Sequence, residues 1–243
     1  MRHLECLHVC DGQAEVCQRT KFGLALDATP RPPLNCMIRP SWIAPLNVTF
    51  DHNCIGVFDL VVISEAAHWV GNDGALELEK CLASQGINDA ANQSQAWIAQ
   101  LYGEQMQRNA RFLANVSRSI RGTGQRQAGP RILFRTTTPG YPPPDVLPPD
   151  TADGKPPIYV RPARSTAWVK KVLALGAAPF NHHMIPQLNN LARTAFDHHA
   201  PAVGFMDLAH PMSYRVDGHL DMLHYCIPGP TDFVVAALHS FAM

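Results

Sequence analysis

Two side chains near the end of the chain are suited to acid–base chemistry at a single point. Asp221 and His224 are three positions apart, a spacing that lets one local turn direct both side chains to the same place. A carboxylate that orients an imidazole, and an imidazole that takes a proton from a hydroxyl, are two of the three groups of an acyl-transfer triad. The third group is a nucleophilic serine. The same spacing also fits a structural hydrogen bond or a metal site, so the surrounding residues decide among these.

The residues around this pair form a longer pattern. Residues 215–219 read Arg-Val-Asp-Gly-His, and residues 221–232 read Asp-Met-Leu-His-Tyr-Cys-Ile-Pro-Gly-Pro-Thr-Asp. The stretch resembles the C-terminal block of the PC-esterase group of GDSL/SGNH-like hydrolases, which includes the trichome birefringence-like polysaccharide O-acetyltransferases of plants. In that block Arg-x-Asp-Gly-His leads to Asp-x-x-His-x-Cys-x-Pro-Gly-x-x-Asp, and every specified residue is present here.

Two further stretches resemble blocks of the same family, in the same order. Residues 58–69 read Phe-Asp-Leu-Val-Val-Ile-Ser-Glu-Ala-Ala-His-Trp and are similar to the family's Asp-x-Leu-Val-Phe-Asn-Thr-Gly-His-Trp. Residues 131–139 read Arg-Ile-Leu-Phe-Arg-Thr-Thr-Thr-Pro and are similar to its Val-Phe-Phe-Arg-Thr-x-Ser-Pro. The chain departs from the family at Glu65, which replaces an asparagine, and at Ala67, which replaces a glycine.

The resemblance implies a three-layer α/β domain of the SGNH-hydrolase type over residues 1–243. It implies an O-acyltransferase, in the first place an O-acetyltransferase, that modifies hydroxyls of a polysaccharide or glycan. His224 would act as the base and Asp221 would fix its tautomer, while the acyl donor is a co-substrate and no bound cofactor is expected. An acyl esterase uses the same groups with water as acceptor. A non-catalytic glycan-binding relative is the other alternative.

The resemblance also marks residues of secondary interest. His68 either faces the substrate or accompanies the packing of Trp69, and Arg135 either binds a sugar or carboxylate or pins its loop through a salt bridge. Glu65 stands where the family's asparagine would help to hold the oxyanion, and a carboxylate donates no hydrogen bond unless it is protonated. Asn72 is therefore a candidate replacement donor.

The nucleophilic serine is expected outside the chain. The family carries it in a Gly-Asp-Ser block near the start of the domain, and that triplet is absent here. Residues 1–7 resemble the continuation of the block. If Arg2 is the family's arginine, three residues after the nucleophile, the serine lies two residues before Met1. The sequence thus predicts an N-terminally truncated gene model. In-frame Gly-Asp-Ser codons upstream would support it, and a stop codon directly before Met1 would contradict it.

The composition limits the classes of binding partner and indicates the cellular compartment. Twenty basic and twenty acidic residues balance, so nothing favours nucleic acid or an anionic membrane. Six of the seven cysteines lie in the first third of the chain, and Asn-x-Ser/Thr triplets begin at Asn47, Asn92 and Asn115. Disulfides and glycosylation favour the secretory pathway, and the resemblance implies the Golgi lumen. No apolar run reaches the ~20 residues of a spanning helix, so membrane attachment is expected only through an anchor outside this chain.

A metal site is not expected. No pair of cysteines has the Cys-x-x-Cys spacing of a zinc module. The histidine doublets at 182–183 and 198–199, together with His210, could suggest a metal. Adjacent residues on a helix point about 100° apart, however, and do not easily face one ion.

Hydrophobic patterning predicts the elements that position these residues. Runs of bulky apolar residues predict strands over 57–63, 131–136 and 202–208, and helical periodicity predicts helices over 94–120 and 181–196. A short element is expected over 168–175 and an apolar helix over 233–238. Residues 141–166 carry eight prolines and are expected to form a mobile insert at the rim. The strand–helix–strand order predicts a parallel sheet with active residues at the carboxyl ends of its strands.

Overall fold

The structure contains a parallel three-stranded sheet. This computed structural model describes residues 60–71, 74–122, 131–142, 147–148, 163, 165–175, 179–216 and 230–242. Its strands are β1 (Leu60–Ile63), β2 (Arg131–Arg135) and β3 (Gly204–Met206), in the spatial order β1-β2-β3 with both pairs parallel. The predicted α/β class and parallel sheet are confirmed. β2 and β3 are shorter than their predicted ranges, and positions 57–59 of the first predicted strand lie outside the described residues.

The helices connect the strands and cover the sheet. In chain order they are α1 (Ala67–Val70), α2 (Ala75–Ser84), α3 (Ala90–Gly122), α4 (Thr166–Ala174), α5 (Ile185–His199), α6 (Ala209–Met212) and α7 (Pro230–Ala242). The hydroxyl oxygen of Ser165 accepts from the backbone N–H of Trp168 over 3.1 Å and caps the start of α4. The helices predicted over 94–120 and 233–238 are confirmed, and α3 is longer than predicted at both ends.

The predicted helix over 181–196 divides into two parts. A 3-10 helix spans Pro179–Met184, and α5 follows it. Phe180 and Asn181 have φ angles of 55° and 57°, in the left-handed region, which costs energy for a bulky side chain. The periodicity is helical throughout, but this kink prevents a single continuous helix.

One face of the sheet packs against α3 and α5. Strand side chains alternate between faces, and this face receives Val61, Ile63, Ile132, Phe134 and Phe205. The ring centroid of Phe134 lies 4.8 Å from that of Phe196 in α5 and 5.3 Å from that of Phe205. The largest cluster of buried apolar residues lies between this face and the two helices.

The opposite face packs against α7. Leu60, Leu133 and Met206 of the strands form a cluster there with three residues of the helix, namely Val234, Ala237 and Leu238. A side-chain N–H of Arg131, at the start of β2, donates to the carbonyl of Phe241 over 2.7 Å. The last turn of α7 therefore lies at the amino end of β2, and its first turn points toward the carboxyl ends of the strands.

The described residues of the proline-rich stretch are packed. Tyr141, Leu147 and Ala163 are buried in one cluster with Trp168 of α4 and with Val216. The indole N–H of Trp168 donates to the carbonyl of Pro148 over 2.8 Å. These described positions form a small core of their own beside the sheet.

Two further features concern the chain as a whole. Cys81 in α2 is disulfide-bonded. Among the described helices, none combines the length and the apolar character that crossing a bilayer requires.

Candidate functional site at the carboxyl edge of the sheet

The register of the sheet brings Ser64 and Arg135 together. Ile63 is opposite Phe134 in the parallel ladder, so the next residue of each strand emerges at the same edge and on the same face. A side-chain N–H of Arg135 donates to the hydroxyl oxygen of Ser64 over 3.1 Å. Burial lowers the pKa of Arg135. Arg135 ends a strand as predicted, and the partner that the structure gives it is a hydroxyl rather than a carboxylate.

Two threonines after β2 fasten the neighbouring loops. The Thr136 hydroxyl oxygen accepts from the backbone N–H groups of Leu208, over 2.9 Å, and of Ala209, over 2.8 Å. The Thr137 hydroxyl donates to the backbone carbonyl of Glu65. The segments that follow β1, β2 and β3 are therefore joined to one another through side chains at this edge.

Two side chains, one in α5 and one just before it, form hydrogen bonds to the backbone of the loop that follows β2. The side-chain oxygen of Asn189 accepts from the Thr137 backbone N–H over 3.0 Å, and its NH₂ group donates to the Thr137 carbonyl over 2.8 Å. Farther along, Nδ1 of His182 accepts from the backbone N–H of Gly140 over 3.1 Å. Both side chains are buried, and they give the loop after β2 a defined position.

Glu65 points its carboxyl group into the protein. As a whole residue it is partly exposed, but Oε1 accepts from the NH₂ group of Asn109 in α3 over 3.1 Å. Burial raises its pKa to about 7, against the opposing effects of Trp69 and Asn109. The next residue, Ala66, has a φ of 123°, a conformation that is costly for a residue with a Cβ. The turn after β1 is thus strained at Ala66, and it directs a buried carboxyl group into the protein.

Two aromatic residues surround this carboxyl group. The Trp69 and Tyr102 rings meet edge to face with centroids 5.3 Å apart, and both residues are buried. Burial, followed by the charge of Glu65, raises the pKa of Tyr102 well above its ordinary value. Among the described residues, neither the Trp69 indole N–H nor the Tyr102 hydroxyl has a hydrogen-bond partner at normal distance and angle. Trp69 is therefore a core residue, which agrees with the packing alternative for this position.

The structure does not describe the side chains of most predicted site residues. Arg2, Asn72, Asp221 and His224 fall outside the described residues, and for His68 the structure describes only the backbone, in α1. Arg135 is thus the one predicted site residue whose side chain the structure describes.

The described residues nearest to the Asp221 and His224 pair are Val216 before it and Pro230 after it. Val216 is fully buried in the cluster that contains Tyr141, a residue of the segment after β2. Pro230 begins α7, whose first turn points toward the carboxyl edge.

Three of the doublet histidines have contacts that do not point to a metal ion. Nε2 of His183 lies 3.3 Å from the side-chain oxygen of Gln95, and the rings of His198 and His199 contact each other with centroids 4.4 Å apart. Within the described ranges, no group of three or more His, Cys, Asp or Glu side chains is arranged to hold a metal ion.

Two asparagines that organise this edge were not predicted. Asn189 occupies the apolar side of α5, between Leu188 and Ala192, and Asn109 lies on the buried side of α3 with Met106 and Leu113. A polar residue within an apolar helical stripe is a signal for a buried hydrogen bond, and it was present in the sequence. Its partner could not be deduced from the helix alone.

Comparison with protein-family models, with curated proteins and with solved structures gave no match for this chain.

Proposed function

We propose that the chain is an O-acyltransferase, in the first place an O-acetyltransferase, that acts on polysaccharide or glycan hydroxyls. The proposal takes the fold to be the three-layer SGNH-hydrolase type, in support of which the sheet packs against helices on both faces. It takes Asp221 and His224 as the carboxylate and the base.

One observation carries the proposal. Two of the sequence blocks that resemble the family contain β1 and β2, which are adjacent parallel strands ending at one edge. Pro230, near the end of the third block, begins a helix whose first turn points toward the same edge. Ligands of open parallel α/β sheets bind outside the carboxyl ends of the strands. The arrangement thus supports a common site for all three blocks.

The proposed reaction has two acyl transfers. His224 takes the proton of a serine hydroxyl as its oxygen attacks the carbonyl carbon of the donor, and the donor's leaving oxygen or sulfur departs with that proton. A glycan hydroxyl then attacks the acyl-serine and gives its proton to His224, which returns it to the serine as that bond breaks. Asp221 holds the imidazole in the tautomer that both steps need.

A second candidate is a glycan-binding protein without catalysis. The carboxyl group of Glu65 is bonded to Asn109 inside the protein, so the residue that replaces the family's asparagine is engaged in the core. This observation favours a relative in which the oxyanion contact has been lost.

One experiment tests both candidates. The protein expressed from its full open reading frame is incubated with an acetyl donor and with oligosaccharides, and products are detected by mass spectrometry. We expect transfer by the parent protein and loss of about two or more orders of magnitude for His224→Ala. His239→Ala, an exposed position in α7, is the matched control. Binding without transfer, unchanged by His224→Ala, would support the second candidate and contradict the first.

A further inference from the structure

Arg135 lacks an acidic partner in the described part of the protein. A guanidinium has five N–H donors, and the acceptor that the structure gives Arg135 is the neutral hydroxyl of Ser64, 3.1 Å away. Burial lowers its pKa, and no neighbouring carboxylate opposes that effect. Among the described residues this partly buried positive charge meets no anion, and such charges are costly unless an anion is supplied.

A second arginine close to the same sheet shows the usual arrangement. Arg193 lies 3.8 Å from a carboxylate oxygen of Asp207 and covers the ring of Phe205 with its guanidinium carbon 4.0 Å from the ring centroid. Asp207 directly follows β3, as Arg135 ends β2. The carboxylate at this edge is therefore paired with Arg193.

The position of Arg135 leaves it open to a ligand. It lies at the carboxyl end of the middle strand, with part of its surface exposed, and Ser64 beside it is exposed. A guanidinium forms two parallel N–H···O bonds with a planar carboxylate. The Ser64 oxygen accepts from Arg135 and keeps its own proton to donate, so it can bond to a carboxylate oxygen or to a sugar hydroxyl. The pair combines recognition of an anion with recognition of a neighbouring polar group.

We propose that Arg135 and Ser64 bind the carboxylate of a uronic acid residue in the acceptor glycan. This inference rests on the proposed function for the statement that the ligand is a glycan, whereas the recognition of a carboxylate rests on the two side chains alone. A guanidinium with a hydroxyl neighbour at the edge of the site selects acidic over neutral sugar units, because only the acidic unit compensates the charge.

Binding of two matched oligosaccharides tests the inference without any acyl transfer. The probes are a short oligomer of galacturonic acid and the same oligomer after reduction of its carboxyl groups to the neutral galactose form. Calorimetry or ligand-observed NMR with the full chain is expected to show tighter binding of the acidic oligomer by about tenfold or more. Equal binding of the two oligomers, or no binding of the acidic one, would overturn the proposal.

Variants assign the binding to this pair. Arg135→Gln is expected to abolish the preference for the acidic oligomer, and Arg135→Lys to keep part of it, because a lysine supplies the charge without the fork of parallel donors. Ser64→Ala is expected to weaken binding by a few-fold, and Arg193→Gln is the matched arginine control. Thermal unfolding of each variant checks that it is folded. A folded Arg135→Gln variant that retains the preference would refute the assignment.

Further outcomes distinguish a uronic acid from a simple carboxylate, and distinguish failure of this site from failure of the proposed function. Acetate that displaces the acidic oligomer at an equal concentration would show that the sugar is not read, and would overturn the uronic acid assignment. Equal acetylation of acidic and neutral oligomers would refute the uronic acid site and would support the acyltransferase function. Binding of the acidic oligomer through Arg135 without any transfer would support the uronic acid site and would refute the acyltransferase function.

Discussion

The NH₂ group of Asn109 donates to Oε1 of Glu65 over 3.1 Å and thereby connects the middle of α3 to the turn after β1. The side-chain oxygen of Asn109 in turn accepts from the NH₂ group of Gln105 over 2.8 Å. Asn109 and Glu65 are 44 positions apart in the chain. The side-chain amides of Gln105 and Asn109 therefore form a short chain of hydrogen bonds that ends on the buried carboxyl group of Glu65. Glu65 directly follows Ser64, the partner of Arg135.

The first prediction concerns the pH dependence of stability through Glu65. Its pKa is about 7 in the folded protein, against an ordinary value of 4.5, so the folded state binds this proton more tightly than the unfolded state. The contribution is fully present below pH 4.5 and is lost as the pH rises through about 7. It amounts to on the order of 3 kcal/mol. Urea unfolding at a series of pH values measures it.

Glu65→Gln isolates this contribution from that of other titrating groups. The amide keeps an acceptor for Asn109 and carries no proton that is lost in this range, so we expect the variant to be the more stable protein at pH 8. The difference in unfolding free energy between variant and parent should change sharply between about pH 4.5 and 7. Glu104→Gln, in α3 with its carboxylate exposed, is the control. A constant difference across that range would show that Glu65 is not buried as described.

The second prediction concerns the pair of hydrogen bonds from Asn189 to the backbone of Thr137. Asn189→Ala removes both bonds, which leaves a buried N–H and a buried carbonyl without partners. We expect a loss of about 2–4 kcal/mol in the free energy of unfolding. Chemical denaturation measures the loss, and hydrogen exchange at the Thr137 amide should accelerate.

The neighbouring asparagine provides a control with the same chemistry. Asn190 is exposed in α5, so Asn190→Ala is expected to change stability by no more than about 0.5 kcal/mol. Asn189→Asp is informative as well, because a carboxylate accepts from the Thr137 N–H but donates nothing to its carbonyl. If Asn189→Ala and Asn190→Ala unfold at the same denaturant concentration, the two hydrogen bonds between Asn189 and Thr137 do not stabilise the protein.

The fold could be predicted from the sequence where one physical cause dominates. The run over 131–136 is apolar because both faces of β2 are covered, and this indicates a buried parallel strand directly. In β1, Val62 is 40% exposed and Ile63 is buried, so the apolar run there belongs to a strand that is buried only in part. The periodic apolar stripe of α3 indicates a helix in the same way. The start of α3 was placed too late because residues 90–93 read Ala-Ala-Asn-Gln and carry no large apolar side chain.

The arrangement of the edge could be predicted only in part. That Arg135 ends a strand follows from its position after an apolar run, but its bond to Ser64 depends on the register of two strands. The left-handed backbone at Phe180 opposes the local preference of a bulky residue, so only tertiary packing can fix it. The Asp221 and His224 assignment remains a prediction, since both residues lie outside the described part of the chain.

The third prediction concerns the hydroxyl of Thr136. Thr136→Val keeps the shape of the side chain and removes the acceptor for two backbone N–H groups, those of Leu208 and Ala209. We expect a loss of about 2–4 kcal/mol in unfolding free energy, with faster hydrogen exchange at these two amides specifically. Thr136→Ser retains the oxygen and should keep the exchange pattern. Thr138→Val, in the same loop, controls for the change of side-chain type. Unchanged protection of the two amides in Thr136→Val would contradict the bonding scheme.

The fourth prediction contrasts two glycines that differ in the space around them. A Cβ at Gly103 in α3 would lie 3.7 Å from a methyl of Leu191, an ordinary contact, so Gly103→Ala is expected to stabilise the protein by about 0.5–1 kcal/mol through its better helix propensity. A Cβ at Gly204 in β3 would overlap the Cδ2 methyl of Leu133, which is itself buried. Gly204→Ala is therefore expected to cost about 1–3 kcal/mol. Combining it with Leu133→Ala should reduce that cost, because the overlapping methyl is gone. Equal effects of the two glycine substitutions in thermal unfolding would contradict the close packing of β2 on β3.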